Sequence, residues 1–583
     1  MIQLHRPHVI LCFLCLLMAI SCSPESNLPP GDVDNGGLFV PDGFEVLTVI
    51  DSVGRARHLT VRENGDIYVK LNSMAGPYGG NVALRDSDGD GRADIIERFG
   101  RRDDEKGSYG AGMIIHDGYL YYGSALTVFR AKMIPDQLLP EDPEIVLFDD
   151  HEHGTHWHIT KPVSFDDQGY MYIPFGTPSN ACQDIQATPN GAPGGQGIDP
   201  CPELDNHGGI WRFDASQTDL RQSDGVRIAT GIRSVVAMDW NTFDKSLYIV
   251  MHGRDNLHSL YPDRYTPWQS AMLPAEEFIR IREGGNYGWP YCYYDQIQGK
   301  KVLAPEYGGD GSMIGRCADM DAPLMGFPGH WAPNDLLFYK GDQFPARYKG
   351  GAFVAFHGST NRAPYPQAGY FVAFIPFQKG APTGEWEVFA DGFAQVGTIV
   401  NTSDAVYRPM GLAEGPDGSL YITESRNGRI WRVMFKGKKN QFGPEELASM
   451  EERRDLPHLR APDEVSDNLQ AHIGDSERLY LTFCGTCHQQ DGKGAIGRFP
   501  PLKGTDWVSG DKERLIEVTL EGMQGPLEVN GVTYNAVMPP HGFLSDEDLA
   551  VILSYIRQEF GDASPITSDE IAKARTATST DRD

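Results

Sequence analysis

The chain predicts an all-β six-bladed β-propeller over residues 38–435, followed by a small all-α domain over residues 470–561. From Leu38 to Phe435, helical periodicity is nearly absent. Within that stretch a turn of Gly, Asp or Asn repeatedly precedes a β-rich run, as in Glu63–Val69, Asp167–Ile173, Phe243–Val250 and Pro416–Ile422. A small-turn/strand unit repeated over most of a chain is the pattern of radial sheets around a channel. Past residue 470 the pattern turns helical: Leu549, Ile552, Leu553 and Ile556 form one apolar stripe.

The N-terminus has the order of a bacterial export signal. Met1–His8 carry Arg6, an apolar run Val9–Ile20 follows, and then Ser21-Cys22-Ser23. The run is too short for a transmembrane helix. A small residue before Cys22 points to a lipoprotein signal over residues 1–22, with Cys22 as the lipid anchor, although Ala19 stands where Leu is usual. The expected location is exported, periplasm-facing or on the cell surface. Residues 23–37, rich in Pro, Gly, Ser, Asn and Asp, read as a tether.

Inside the β region, Asp86-Ser-Asp88-Gly-Asp90-Gly-Arg92-Ala-Asp94-Ile-Ile-Glu97 fits D-x-[DN]-x-[DN]-G-x5-E in full. Carboxylates at Asp86, Asp88, Asp90, Asp94 and Glu97, with the Arg92 carbonyl, have the spacing to wrap calcium. The flanks are strand-like, so a structural staple is expected rather than a sensor. His151, His153, His156 and His158 form a second cluster. No carboxylate or Cys pattern completes a transition-metal site there, and structural histidines plus one catalytic histidine is the better reading.

The nine cysteines divide by position. Cys12, Cys15 and Cys22 belong to the signal, and Cys484 and Cys487 to the C-terminal domain. Cys182, Cys201, Cys292 and Cys317 remain, an even set suited to an oxidising compartment. Local pairing, Cys182 with Cys201 and Cys292 with Cys317, is the simplest of the connectivities. A net charge of −29 argues against nucleic acid as a partner.

Residues 436–469 read as an interdomain linker containing one short helix, and residues 562–583 as a disordered tail. Between them lies Cys484-Gly-Thr-Cys487-His488, the attachment sequence for a c-type haem. The two thiols bind the haem, and His488 is the proximal iron ligand. Met538, in a Pro-rich loop, is the expected distal ligand; His541 or an open position is the alternative. A helix from Ser476 to Phe483 leads into the motif. A second helix starts at Ser545, with Asp548 completing a capping box, and stops at Gly561. The region resembles class I cytochrome c domains.

Several segments resemble PQQ-dependent sugar dehydrogenases of the soluble glucose dehydrogenase and L-sorbosone dehydrogenase type. They are His158–Pro162 running into Gly176–Asn180, Gly231–Ser234, Asn286-Tyr-Gly-Trp-Pro290, His357-Gly-Ser-Thr-Asn-Arg362 and Arg408–Leu412. The resemblance implies a six-bladed propeller with PQQ, held with calcium, over the channel. It implies that Arg57, Lys161, Arg233, Arg362 and Arg408 hold the tricarboxylate cofactor. It further implies that His158 is the base taking the hydroxyl proton, with Arg233 polarising the quinone oxygen. The cofactor calcium would be bound by backbone carbonyls near Gly253 and Arg254, with Glu276 and Glu277 close by. Two positions depart from the family. Thr177 stands where the glucose enzymes carry an Asp behind the histidine, and Ser234 where they carry Asn.

The resulting expectation is an exported quinohaemoprotein. It oxidises a sugar, sugar aldehyde or polyol with PQQ and passes electrons through haem c to an external acceptor. The alternatives are a cytochrome with a non-catalytic binding propeller, and a calcium-dependent lactonase-like hydrolase fused to a cytochrome.

Overall fold

A computed structural model describes residues 28–72, 80–100, 110–151, 158–183, 191–363, 365–462, 476–495 and 497–580. The signal with Cys22, the histidines at 153 and 156, and linker residues 463–469 lie outside them. Among the described residues no helix is long and apolar enough to cross a membrane.

Six blades form the propeller, each of four antiparallel strands, with a short fifth strand, Gly285–Asn286, added in parallel at the outer edge of blade 3. Blade 1 runs outward from Ala56–Val61 through Ile67–Leu71 and Asn81–Arg85 to Ile95–Phe99. Blades 2 to 5 begin with inner strands Ala111–His116, Ser164–Phe165, Val235–Asn241 and Pro333–Phe338. Blade 6 comprises Pro409–Glu414, Leu420–Glu424 and Ile430–Phe435. Its outermost strand comes from the other end of the domain: Phe44–Ile50 pairs with Ile430–Phe435, Phe44 opposite Phe435. This closes the ring by joining the two ends of the domain in one blade, leaving only short outer edges. Phe44 anchors the closure, its ring 4.8 to 5.8 Å from those of Phe344, Tyr348, Phe389, Phe435 and Phe442.

The four turn/strand units read from the sequence are all second strands of blades: Ile67–Leu71, Tyr170–Phe175, Ser246–Met251 and Leu420–Glu424. In two of them a carboxylate of the turn is tied to a tyrosine of the strand. Tyr172 Oη donates to Asp166 at 2.9 Å, and Tyr248 Oη to Asp244 at 2.6 Å.

Three expectations change. The tether is packed from Gly31 onward: Asp32 N donates to the Val46 carbonyl, and its carboxylate pairs with Arg92 at 2.6 Å. The linker is largely part of the propeller. The helix Pro444–Glu452 buries Met450, Leu459 joins the same core, and Asp391 receives Arg453 at 2.6 Å and His458 at 2.9 Å. The tail is a helix, Ser568–Thr580, with Ile571 fully buried and Glu570 paired to Lys512 at 2.8 Å. Each segment is polar in composition, so its few apolar anchors were outweighed when read locally.

The C-terminal domain is a small α-helical cytochrome c-like fold. Helix Ser476–Phe483 packs on Asp546–Gly561, whose N-cap Ser545 accepts from Asp548 N at 3.0 Å. Leu549, Ile552, Leu553 and Ile556 are buried, as the stripe requires.

Candidate functional site

Inner strands start, and second strands end, on one face of a propeller. Arg57, Arg233 and Arg408 lie at or just before inner-strand starts, while Thr177, Gly253 and Arg362 follow second strands. Topology therefore gathers the sequence-predicted residues on a single face. The 86–94 loop follows a third strand and lies at the opposite rim.

His158 is held by the end of the second strand of blade 3. Its Nδ1 lies 2.8 Å from the Thr177 carbonyl, which accepts the Nδ1 proton and leaves Nε2 as the basic nitrogen. Thus the backbone of Thr177 supplies the acceptor that orients the ring. Gly176 permits the approach, because a Cβ there would lie 2.1 Å from the His158 carbonyl. Burial, then the Arg233 charge, hold His158 well below its ordinary pKa, so it is neutral at pH 7.

Arg233 is tied to the same turn, its carbonyl accepting from Thr177 N at 2.9 Å. Its guanidinium donates to the Gly253 carbonyl at 2.8 Å, to Asn180 Oδ1 at 3.0 Å and to Asp255 Oδ2 at 3.0 Å. Burial works against ionisation of Asp255, but Arg233 and His330 outweigh it and hold the carboxyl well below its ordinary range. Asn361 Nδ2 donates to Asp255 Oδ1 at 2.6 Å, joining the blade 5 loop to this network. The Asn286–Pro290 segment is its buttress: Trp289 Nε1 donates to the Asn180 carbonyl at 3.0 Å. Gly231, with φ +73°, lets that segment pass, since a Cβ would lie 2.4 Å from Gly288 N.

Arg408 donates to the His357 carbonyl at 3.1 Å, to His357 Nδ1 at 2.8 Å and to the Gly358 carbonyl. An Arg donor forces His357 Nδ1 to accept, so Nε2 donates to Ser425 Oγ at 2.6 Å. Burial first, then the Arg408 and Arg57 charges, hold His357 well below its ordinary pKa. Arg57 Nε donates to the Gly110 carbonyl at 3.2 Å.

Arg362 is 1 % exposed, and its Nε and Nη1 have no partner among the described residues. Its Nη2 faces only Met272 Sδ, at 3.9 Å. Burial alone lowers it to about 10, and burial first does the same to Arg408.

Two expected roles meet competing partners. Lys161 Nζ, 1 % exposed, pairs with Asp149 at 2.9 Å, so its charge is already compensated. The Gly253 carbonyl is taken by Arg233. Arg254 pairs with buried Glu306, Glu276 accepts from Gly253 N and Ala332 N, and Glu277 pairs with Lys301 at 2.6 Å. Sequence reading missed Asp255, Asn180 and Asn361, because only the folded ring brings them to Arg233. The His-Gly-Ser-x-Asn-Arg piece was the one signal that included Asn361.

At the opposite rim, Asp86, Asp88 and Asp90 present ligand oxygens within 4.8 Å of one another. It is the one such cluster of His, Cys, Asp or Glu among the described residues. Asp94 is turned to Ser87, accepting from its N at 2.9 Å and its Oγ at 2.5 Å, and Glu97 sits in the ladder opposite Ala83. The Arg92 guanidinium points away from the loop, donating to Asp32 Oδ1 and to the Thr48 carbonyl at 2.6 Å.

In the C-terminal domain Cys484 and Cys487 are free thiols, while Cys182–Cys201 and Cys292–Cys317 are disulfides. His488 Nδ1 lies 2.9 Å from the Pro500 carbonyl, a donor contact that leaves Nε2 for iron. Met538 is half-buried, its backbone bridged to Met523 at 2.9 Å both ways. His541 is 5 % exposed with both ring nitrogens unpartnered among the described residues, and burial lowers it to about 4. Free thiols, an oriented His488 and these orphaned nitrogens fit a haem pocket.

Residues 38–436 match the TrAA12-like family. The chain belongs to the TrAA12-like family. Residues 475–559 of this TrAA12-like chain match cytochrome c. The propeller is similar to the holo form of the pyranose dehydrogenase PQQ domain from Coprinopsis cinerea, at 18 % identity and a TM-score of 0.53. That likeness covers 68 % of this chain and 97 % of that one. It is also similar to the calcium structure of a Trichoderma reesei AA12 enzyme, at 17 % identity and a TM-score of 0.54, covering 68 % and 97 %. The C-terminal domain is 40 % identical over 111 residues to cytochrome c-552 of Thermus thermophilus, covering 17 % of this chain and 84 % of that protein. The TrAA12-like chain is thus a six-bladed propeller fused to a cytochrome c domain.

Proposed function

We propose that the TrAA12-like chain oxidises a sugar, sugar aldehyde or polyol with PQQ and delivers the electrons to a covalently bound haem c. The observation that carries this is the pair Arg362 and Arg408. Both are desolvated guanidinium groups whose hydrogen bonds, among the described residues, go only to neutral acceptors. A buried cation without a counter-charge is costly, and an anionic cofactor removes that cost. The Coprinopsis relative being a PQQ domain supports a tricarboxylate as that anion.

Arg57, Arg362 and Arg408 would hold its carboxylates, and Arg233 its quinone oxygen. When bound, PQQ supplies a two-electron acceptor. His158 Nε2, neutral and aimed by the Thr177 carbonyl, takes the substrate hydroxyl proton. Asp255 keeps Arg233 oriented and charged. Cys484, Cys487 and His488 would hold the haem, with Met538 as the distal ligand. Calcium would sit on Asp86, Asp88 and Asp90 as a staple. Export, with Cys22 lipidated, belongs to the same proposal.

A lactonase reading needs side-chain carboxylates around a channel metal. Among the described residues, the cluster that could hold one is at the far rim. The test adds PQQ and Ca²⁺ to purified protein and follows the haem absorption bands across a panel of sugars, aldehydes and polyols. Reduction by one class supports the proposal. Haem that stays oxidised throughout, with no PQQ-dependent spectral change, would falsify it.

A further inference from the structure

The two domains touch, and the contacts run between residues close in sequence to candidate site residues. On the cytochrome side, Phe483 precedes Cys484, and Phe543 follows Met538 by five positions. Arg498 stands two positions before Pro500, whose carbonyl orients His488. On the propeller side, His258 follows Asp255 by three positions, Tyr365 follows Arg362 by three, and Asp404 precedes Arg408 by four.

The contacts are specific. The Phe543 ring lies 6.2 Å from His258, edge to face at 84°. The Phe483 ring lies 6.5 Å from Tyr365, and 6.0 Å from Phe543. One aromatic patch beside the haem-attachment motif therefore receives residues from two different blade loops. Next to it, Arg498 pairs with Asp404 and donates to Ser403 Oγ at 3.1 Å. The Asp404 side chain is 8 % exposed, and its Oδ2 already accepts from Val400 N and Asn401 N at 2.9 Å. The acceptor is thus fixed before the arginine arrives, which is how an interfacial ion pair sets orientation.

We propose that this interface is a built electron-transfer junction, with the haem-bearing edge of the cytochrome latched by Arg498–Asp404 over the propeller face carrying His158 and Arg233. It rests on the dehydrogenase reading above. Each substrate oxidised releases two electrons and two protons. The haem iron takes one electron at a time, Fe(III) to Fe(II). It is therefore reduced twice per substrate and reoxidised twice by an external one-electron acceptor such as ferricyanide, the protons leaving to solvent.

The experiment uses the full chain loaded with haem, PQQ and Ca²⁺, as wild type, Arg498→Asp, Asp404→Arg and the double swap. Three readouts are taken: substrate-driven haem reduction by stopped flow, turnover with a dye that takes electrons at the quinone, and backbone hydrogen exchange at residues 400–404 and 541–544. Each single variant should slow haem reduction by about tenfold or more, leave dye turnover unchanged and lose exchange protection at both loops. The double swap should restore haem reduction and protection. Wild-type haem reduction in a single variant that has lost protection overturns the junction, as does an absence of protection in the wild type. A wild type that reduces neither dye nor haem refutes the dehydrogenase reading itself, whatever the exchange data show.

Discussion

Replacing Arg362 with Met should stabilise the PQQ-free protein and weaken its response to PQQ. The side chain is 1 % exposed, and two of its nitrogens are orphaned among the described residues. Burial alone lowers it from 12.5 to about 10. At ~1.4 kcal/mol per pH unit, holding that charge costs the cofactor-free fold about 3 kcal/mol. Methionine fills similar volume against Met272 and carries no charge, so most of that cost should be recovered. A bound carboxylate would reverse the balance, because removing one partner of a buried charge pair weakens binding by roughly 30-fold or more. The assay is thermal unfolding of the propeller with and without PQQ and Ca²⁺. The wild type should show the lower transition without PQQ and the larger upward shift with it; Arg362→Met should invert both. A variant that unfolds below the wild type without PQQ, and shifts by the same amount with it, refutes the reasoning.

His158→Ala should slow substrate-driven haem reduction by about 10²-fold or more, while dithionite still reduces the haem; retained turnover reassigns the base. His58 predicts the acid limb of propeller stability. Its Nδ1 accepts from Gly112 N at 3.0 Å and its Nε2 donates to the Asn334 carbonyl at 3.0 Å, so the neutral ring pins three blades at the channel. Burial lowers it from 6.5 to about 3, so the unfolded chain binds the proton first: the contribution is complete above pH 6.5 and is lost as pH falls toward 3. His58→Gln should flatten the dependence between pH 6 and pH 4 by about 1.4 kcal/mol per pH unit, read from urea midpoints, and an unchanged slope would exclude His58 as its source. Calcium should raise the propeller transition of the wild type but not of Asp88→Asn; equal shifts in both would place the ion elsewhere.

Local pattern determined a good deal of this protein by itself. A turn followed by a β-rich run is a short-range signal, so the blades could be read from units such as Glu63–Val69. The haem motif and the capping box at Ser545–Asp548 lie within a few residues of chain, and so do the 86–97 carboxylates. The two disulfides followed from counting. Tertiary structure alone decided what depends on closure of the ring. Phe44–Ile50 becomes the outer strand of blade 6 only because the chain returns to it. Thr177 orients His158 through a backbone carbonyl, which no side-chain comparison can register. Asp255 meets Arg233 and Asn361 from two different blades. Lys161 and Arg362 read alike as basic loop residues, yet one is neutralised by Asp149 and the other is left without a counter-charge among the described residues. That difference is set by which carboxylates the other blades deliver to each cation, and a linear sequence does not contain those distances.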